Sequence, residues 1–116
     1  MTKIRTLTTE ELQQRLDQPR RGLEFWNVLT DDYFKGELIP GSRRVPLDTV
    51  GREVAQGGIA RDAEIIVYCS GPSCPQSGAA AEKLVKLGFT NVRQYEGGLE
   101  HWKGAGLPVE RLAEAA

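Results

Sequence analysis

Cys69 and Cys74 are the only two cysteines in the 116-residue chain, and both fall within EIIVYCSGPSCPQSGAAAEKLVKLGF, Glu64 to Phe89. A thiolate is a nucleophile and a redox group, so the surroundings of each sulfur decide its chemistry. The loop between Cys69 and Ser77 holds Ser70, Gly71, Pro72, Ser73, Pro75 and Gln76, and it contains no lysine or arginine. Ahead of it, Ile65 to Tyr68 is an apolar run without alternation, as in a strand covered on both faces. Behind it, Ala79, Ala80, Leu84 and Leu87 recur at helical spacing, and Gly88 supplies a stop. A cysteine where a strand hands over to a helix lies at the carboxyl edge of a parallel sheet, the usual ligand position in open α/β folds. Backbone amides of such a loop can converge on one centre, and the positive end of the following helix points the same way. Cys69 is therefore expected to be shifted toward thiolate from the ordinary ~8.5. The amides from Ser70 to Pro75 would hold a thiolate, a persulfide or a bound oxyanion. The competing reading is plain packing, because free cysteine is among the most buried residue types.

Cys74 is a second candidate group. It could resolve a persulfide or sulfenate on Cys69 as a disulfide, or relay sulfur. Four intervening residues permit but do not impose the ~5.5 Å Cα separation a disulfide wants. The alternative is a structural thiol on the far side of the loop.

The elements that must hold this loop follow in order. Ile4 to Leu7 reads as a short edge strand. Thr8 or Thr9 then caps a helix running to about Leu16, with Glu10 and Glu11 in its first turn. Pro19 to Gly22 is turn chemistry. Leu23 to Leu29 is the first core strand, followed by a short helical stretch capped by Thr30 or Asp31, whose Tyr33 and Phe34 are expected to pack. Arg43 to Leu47 reads as another strand. Its Arg43 and Arg44 are either exposed charges, the default for arginine, or auxiliary anion contacts near the loop. Asp48 caps a helix to about Gln56, stopped by Gly57 and Gly58. Asn91 to Tyr95 forms the last strand, Gly97-Gly98 a close turn, and Leu99 to Lys103 a final helix with Leu99 and Trp102 inward and His101 outward. Glu110 to Ala116 is a frayed or helical tail. Strands alternating with helices predict an open parallel α/β sheet with right-handed crossovers.

Composition narrows the function. Lysine plus arginine total 15 against 16 acidic residues, so no charge excess favours nucleic acid or an anionic membrane. No apolar run approaches the ~20 residues that span a bilayer, and the polar MTKIRTLTTEE start lacks a signal-peptide core, which predicts a cytoplasmic protein. Two cysteines and one histidine do not make a structural zinc site, and no metal is expected. Residues 1–116 suit one domain, since domains commonly run to about 100–150 residues.

Val67-Tyr68-Cys69, the loop from Ser70 to Pro75, Ala80-Ala81-Glu82-Lys83-Leu84 and Leu87-Gly88-Phe89 together resemble the active-site region of the rhodanese homology domain. Flanking matches come in the same order: Ile39-Pro40-Gly41-Ser42, Val45-Pro46-Leu47, Asn91-Val92, Tyr95-Glu96-Gly97-Gly98-Leu99, Trp102 and Ala105-Gly106-Leu107-Pro108. They span about residues 7–109. The resemblance implies an open, mostly parallel five-stranded sheet with helices on both faces. It also implies a sulfurtransferase in which Cys69 takes a sulfane sulfur as a persulfide and passes it to a thiol or cyanide. Such two-step covalent catalysis needs no metal or organic cofactor. The expected partners are a small sulfur-donor anion or persulfide and a thiol-protein acceptor, with the protein a monomer or homodimer. Ser77, Arg43 and Arg44 are auxiliary candidates.

The sequence also departs from that pattern. Asn27-Val28-Leu29 stands where the family usually has Asp-Val-Arg, and Gly36-Glu37-Leu38 replaces Gly-His before the Ile-Pro-Gly. The loop is longer than usual and lacks the basic residue that helps hold thiosulfate, which favours a less charged donor. Rhodanese-like phosphatases carry an arginine where this chain has Pro75, so phosphatase or arsenate-reductase chemistry would lack its bidentate fork. A non-catalytic binding or regulatory module is the other alternative.

Overall fold

The computed structural model describes residues 4–18 and 22–112. Pro19, Arg20 and Arg21 of the expected turn, and residues 113–116 of the expected tail, lie outside the described residues. The elements are β1 (Arg5–Thr6), α1 (Thr9–Asp17), β2 (Glu24–Asn27), β3 (Glu37–Leu38), β4 (Arg43–Arg44), a 3-10 turn (Leu47–Thr49), α2 (Val50–Gln56), β5 (Ile65–Tyr68), α3 (Gln76–Lys86), β6 (Val92–Tyr95), α4 (Gly98–Gly104) and β7 (Glu110–Arg111). Five strands form one sheet in the order β1-β6-β5-β2-β4, and every pairing in it is parallel.

β5 lies at the centre, paired with β2 on one side and β6 on the other, with Tyr68 level with Asn27 and Tyr95. All four of its residues are buried. Alternation along the strand sends Ile65 and Val67 to a cluster with Val50, Ala80 and Leu84, and Ile66 and Tyr68 to a cluster with Leu12, Leu99 and Trp102. So α2 and α3 cover one face, α1 and α4 the other, and a strand buried on both faces needs no polar alternation. Leu84 is fully buried, and cutting it to alanine would cost about 2–5 kcal/mol through lost transfer energy and the cavity left behind.

Several local expectations change. Of the two threonines expected to cap α1, Thr8 does so, through a capping box with Glu11. The stretch after β2 is not helical. It is a turn in which the Tyr33 and Phe34 amides both donate to the Thr30 carbonyl, at 2.9 and 3.0 Å. Phe34 packs against the core, whereas Tyr33 is 62% exposed and does not. Asp48 caps no helix. It lies inside the 3-10 turn that leads into α2, where no side-chain cap bond forms. Glu110 and Arg111 are neither frayed nor helical, because they pair antiparallel with β3 in a separate two-stranded ribbon. His101 is exposed, as expected.

Candidate active site

The Cys69 loop leaves β5 at its carboxyl end and enters α3 at Pro75, which occupies the N-cap position. Proline has no N–H to leave unsatisfied, and its fixed φ suits a helix entrance. A turn closed by the Cys74 amide on the Gly71 carbonyl, 3.0 Å, folds the loop back on itself. That brings the two thiols together. The Cys69 side chain donates to Cys74, with its sulfur 3.5 Å from the Cys74 carbonyl oxygen.

The two sulfurs occupy different environments. Cys69 is only 1% exposed, and burial pushes its thiol upward, reinforced by the bond to Cys74, while the Ser77 hydroxyl and amide pull it down. The expectation of a Cys69 shifted toward thiolate is therefore corrected: desolvation of the charged form outweighs the dipoles that face it. Cys74 is half-buried. Burial works against its ionisation too, but hydrogen bonds from the Cys69 thiol, from the Gln76 and Ser70 amides and from the Ser70 side chain prevail, and its pKa falls. The Ser70 and Gln76 amides thus favour the charged form of Cys74. Ser77 is buried, and its hydroxyl accepts from Gln94 Nε2 at 2.9 Å, which leaves its own proton free for Cys69.

Three braces fix the loop. The Leu99 amide donates to the Cys69 carbonyl at 3.1 Å and the Glu100 amide to the Ser70 carbonyl at 2.8 Å, so the first turn of α4 is stitched to the two residues after β5. This closeness requires Gly98, whose φ is +58°; a side chain there would collide with the Cys69 carbonyl oxygen and with Gly71 N. Gly71 is similarly confined beneath the Glu100 side chain. Gln76 clamps the neighbouring loop: the Thr30 amide donates to its Oε1 at 3.0 Å, and its Nε2 donates to Thr30 Oγ1 at 2.9 Å. Behind the cysteine, Tyr68 holds the Pro40-Gly41 turn, accepting from the Ile39 amide at 2.9 Å and bonding Ser42 Oγ at 2.7 Å.

Neither auxiliary arginine reaches the loop. Arg43 pairs with Glu24 and Glu53, at 2.9 and 3.0 Å. Arg44 is largely covered, contrary to the default for arginine. It donates to the Asn27 side chain and the Leu29 carbonyl, pairs with Asp31 at 2.8 Å and stacks 3.9 Å from the Phe34 ring centre. Asn27 Oδ1 in turn accepts from the Leu29 amide at 3.1 Å. Thus Asn27 and Arg44 together shape the segment where an acid and an arginine are missing.

Above the loop lies a cavity of about 400 Å³ lined by Leu29, Tyr33, Lys35, Ser70, Ser73, Cys74, Pro75 and Gln76. A second, of about 320 Å³, shares Leu29, Tyr33, Lys35 and Ser70 and extends toward Leu99, Glu100 and Lys103. Cys69 lines neither. Lys35 contributes the cation that the loop itself lacks, and it makes no ion pair with any described residue. Lys103 is engaged by Glu37 at 2.9 Å. Among the described residues no cluster of histidine, cysteine and acid has the geometry of a metal site.

The family model for the rhodanese-like domain matches residues 8–105. The chain belongs to the rhodanese-like domain family. The protein YqhL of Bacillus subtilis is 30% identical over 101 residues, 87% of this chain and 74% of YqhL. The thiosulfate sulfurtransferase YnjE of Escherichia coli is 30% identical over 86 residues, 74% of this chain but only 16% of that protein. A Bacillus halodurans protein of known structure superposes with a TM-score of 0.79 at 26% identity, covering 92% of this chain and 77% of the other.

In this rhodanese-like domain, proximity divides the expected site residues clearly. Cys69, Ser70, Cys74 and Ser77 lie together, Gly71 closes the turn by accepting from the Cys74 amide, and Ser73 and Pro75 are on the cavity wall. Pro72 is exposed on the outer rim of the loop. Lys35, Gln76, Gly98 and Glu100 were not foreseen as parts of the site. Only the Gly97-Gly98 pair carried a local signal, as a close turn.

Proposed function

We propose that this rhodanese-like domain is a sulfurtransferase that carries a sulfane sulfur as a persulfide on Cys69 and delivers it to an acceptor thiol or cyanide. The observation that carries the reading is the placement of Cys69 at the carboxyl end of the central parallel strand and before α3, with its sulfur against Cys74, which lines an open cavity. Oriented N–H groups in a partly dry site stabilise a sulfur anion without reorganising at the moment of reaction. A persulfide places its outer sulfur ~2 Å beyond Cys69 Sγ. The donor we infer is a small anion or persulfide guided by Lys35, with thiosulfate one candidate by analogy with YnjE, and the acceptor a small or protein thiol. A cytoplasmic setting, where thiols stay reduced, suits an unpaired dithiol loop.

One observation favours a second reading, a non-catalytic binding module: Cys69 is 1% exposed. Incubation with thiosulfate or inorganic polysulfide, followed by intact-mass measurement, separates the two. A gain of one sulfur that cyanide removes as thiocyanate, and that the double variant Cys69→Ser/Cys74→Ser lacks, supports transfer. An unchanged mass with every donor supports the module.

A further inference from the structure

Cys69 and Cys74 divide between them two properties that a nucleophile needs. Cys69 has the sheltered cradle, with Ser77 donating to it, but it touches neither cavity. Cys74 forms part of the wall of the 400 Å³ cavity and receives the Ser70 and Gln76 amides. A donor entering beside Lys35 meets Cys74 first. We propose that Cys74 is the entry nucleophile for sulfane sulfur and that it hands the sulfur inward to Cys69. The proposal rests on the sulfurtransferase reading and specifies which thiol reacts first.

The chemistry balances without an external oxidant or reductant. The Cys74 thiolate attacks the outer sulfur of the donor. The donor's bond to that sulfur breaks, its electron pair leaves on the remainder as a thiolate, or as sulfite from thiosulfate, and a Cys74 persulfide forms. Cys69 then attacks the outer sulfur of that persulfide. A sulfur–sulfur bond forms on Cys69, the one on Cys74 breaks with its electrons returning to Cys74, and the proton carried by Cys69 passes to Cys74. The two residues are neighbours across the loop, because Cys69 Sγ lies 3.5 Å from the Cys74 carbonyl oxygen. Moving the sulfur inward shields it from water, where hydrogen bonds from Ser77 act in a lower dielectric. Attack on the inner sulfur instead would close a Cys69–Cys74 disulfide and expel sulfide, a distinguishable outcome.

The test uses the whole chain loaded with inorganic polysulfide, quenched at intervals by alkylation, with the sulfur located by fragment mass spectrometry. The expected course is sulfur on Cys74 first and on Cys69 later. Cys69→Ser, or Cys69→Ala if the serine variant folds poorly, should strand the sulfur on Cys74. Cys74→Ser should load Cys69 more slowly by an order of magnitude or more, having lost the accessible thiolate. Sulfur on Cys69 from the earliest time, with Cys74→Ser loading at the wild-type rate, overturns the relay. So does release of one sulfide per sulfur loaded together with a Cys69–Cys74 disulfide. A wild-type chain that takes up no sulfur overturns the sulfurtransferase reading as well, whereas uptake through Cys69 alone overturns only the relay.

Discussion

Replacing Gly98 by alanine should damage both stability and sulfur loading, and Gly58 provides the internal control. The two glycines share nearly the same left-handed backbone, φ +58° and +63°, so alanine pays the same strain at each, roughly 1–2 kcal/mol. Both substitutions also remove the same freedom from the unfolded chain, and that effect cancels in the comparison. The surroundings differ. Nothing lies within 4 Å of a Cβ at Gly58, whereas at Gly98 it would meet the Cys69 carbonyl oxygen, Gly71 N at 2.8 Å and the Ser70 carbonyl carbon at 2.9 Å, all backbone atoms that no rotamer change can move aside. Relief requires α4 to back away from the loop, which breaks the bonds from the Leu99 and Glu100 amides. Overpacking of this kind costs about 1–3 kcal/mol. Gly98→Ala should therefore lose about 2–5 kcal/mol in all, against about 1–2 for Gly58→Ala. At roughly 4 °C per kcal/mol for a domain of this size, Tm should fall by about 8–20 °C in the first and 4–8 °C in the second. Thermal unfolding followed by circular dichroism reads the difference directly, and sulfur loading should drop at least about tenfold in Gly98→Ala alone, because small displacements of reacting groups are expensive. Equal losses of Tm in the two variants would refute the claim that α4 is pressed against the loop.

Tyr68→Phe should cost about 1–3 kcal/mol in urea unfolding, because the fully buried Ile39 amide loses its acceptor. A cost within a few tenths would mean that the amide finds another partner. Lys35→Gln should raise the KM for thiosulfate by about two- to fivefold, the scale of an exposed charge contact. It should leave an uncharged persulfide donor nearly unaffected, and added salt should shrink the difference. An equal effect on both donors would show that Lys35 shapes the cavity rather than attracting an anion.

The strand, loop and helix around the cysteines were legible because each rests on a local signal. Ile65 to Tyr68 is an apolar run, the loop is dense in glycine and proline, and α3 repeats small and apolar residues at helical spacing. The cap was readable to within one residue, Thr8 or Thr9, and the reciprocal bonds of Thr8 with Glu11 settle it on Thr8. What failed depends on tertiary context. The segment from Thr30 to Phe34 has helix-start residues, but Gln76, 46 positions away, captures the Thr30 amide and hydroxyl and holds a turn. Arg44 was expected at the surface by its type, yet Asn27, Leu29, Asp31 and Phe34 together provide it with partners that no spacing rule could assemble. The misjudged ionisation of Cys69 has the same origin. A loop pattern reveals where amides will point, but not how deeply a particular sulfur is buried, and here burial raises the Cys69 pKa. Lys35 escaped notice because it joins the site from a different loop, across the cavity.

The central claim is that the amide ring at the start of α3 charges the thiol facing the cavity, and pH-dependent alkylation of the native chain tests it most directly. Only thiolates alkylate quickly, so a thiol with a lowered pKa reaches its full rate at lower pH, and one with a raised pKa keeps accelerating into the alkaline range. Labelling mapped residue by residue should show Cys74 reacting first, with a midpoint below that of an ordinary cysteine, and Cys69 reacting slowly with a midpoint above it. Cys69→Ala should move the Cys74 midpoint upward, because a hydrogen bond that favours its thiolate is gone. Rapid labelling of Cys69 at neutral pH, with Cys74 titrating like a free thiol, would contradict this assignment of the charge.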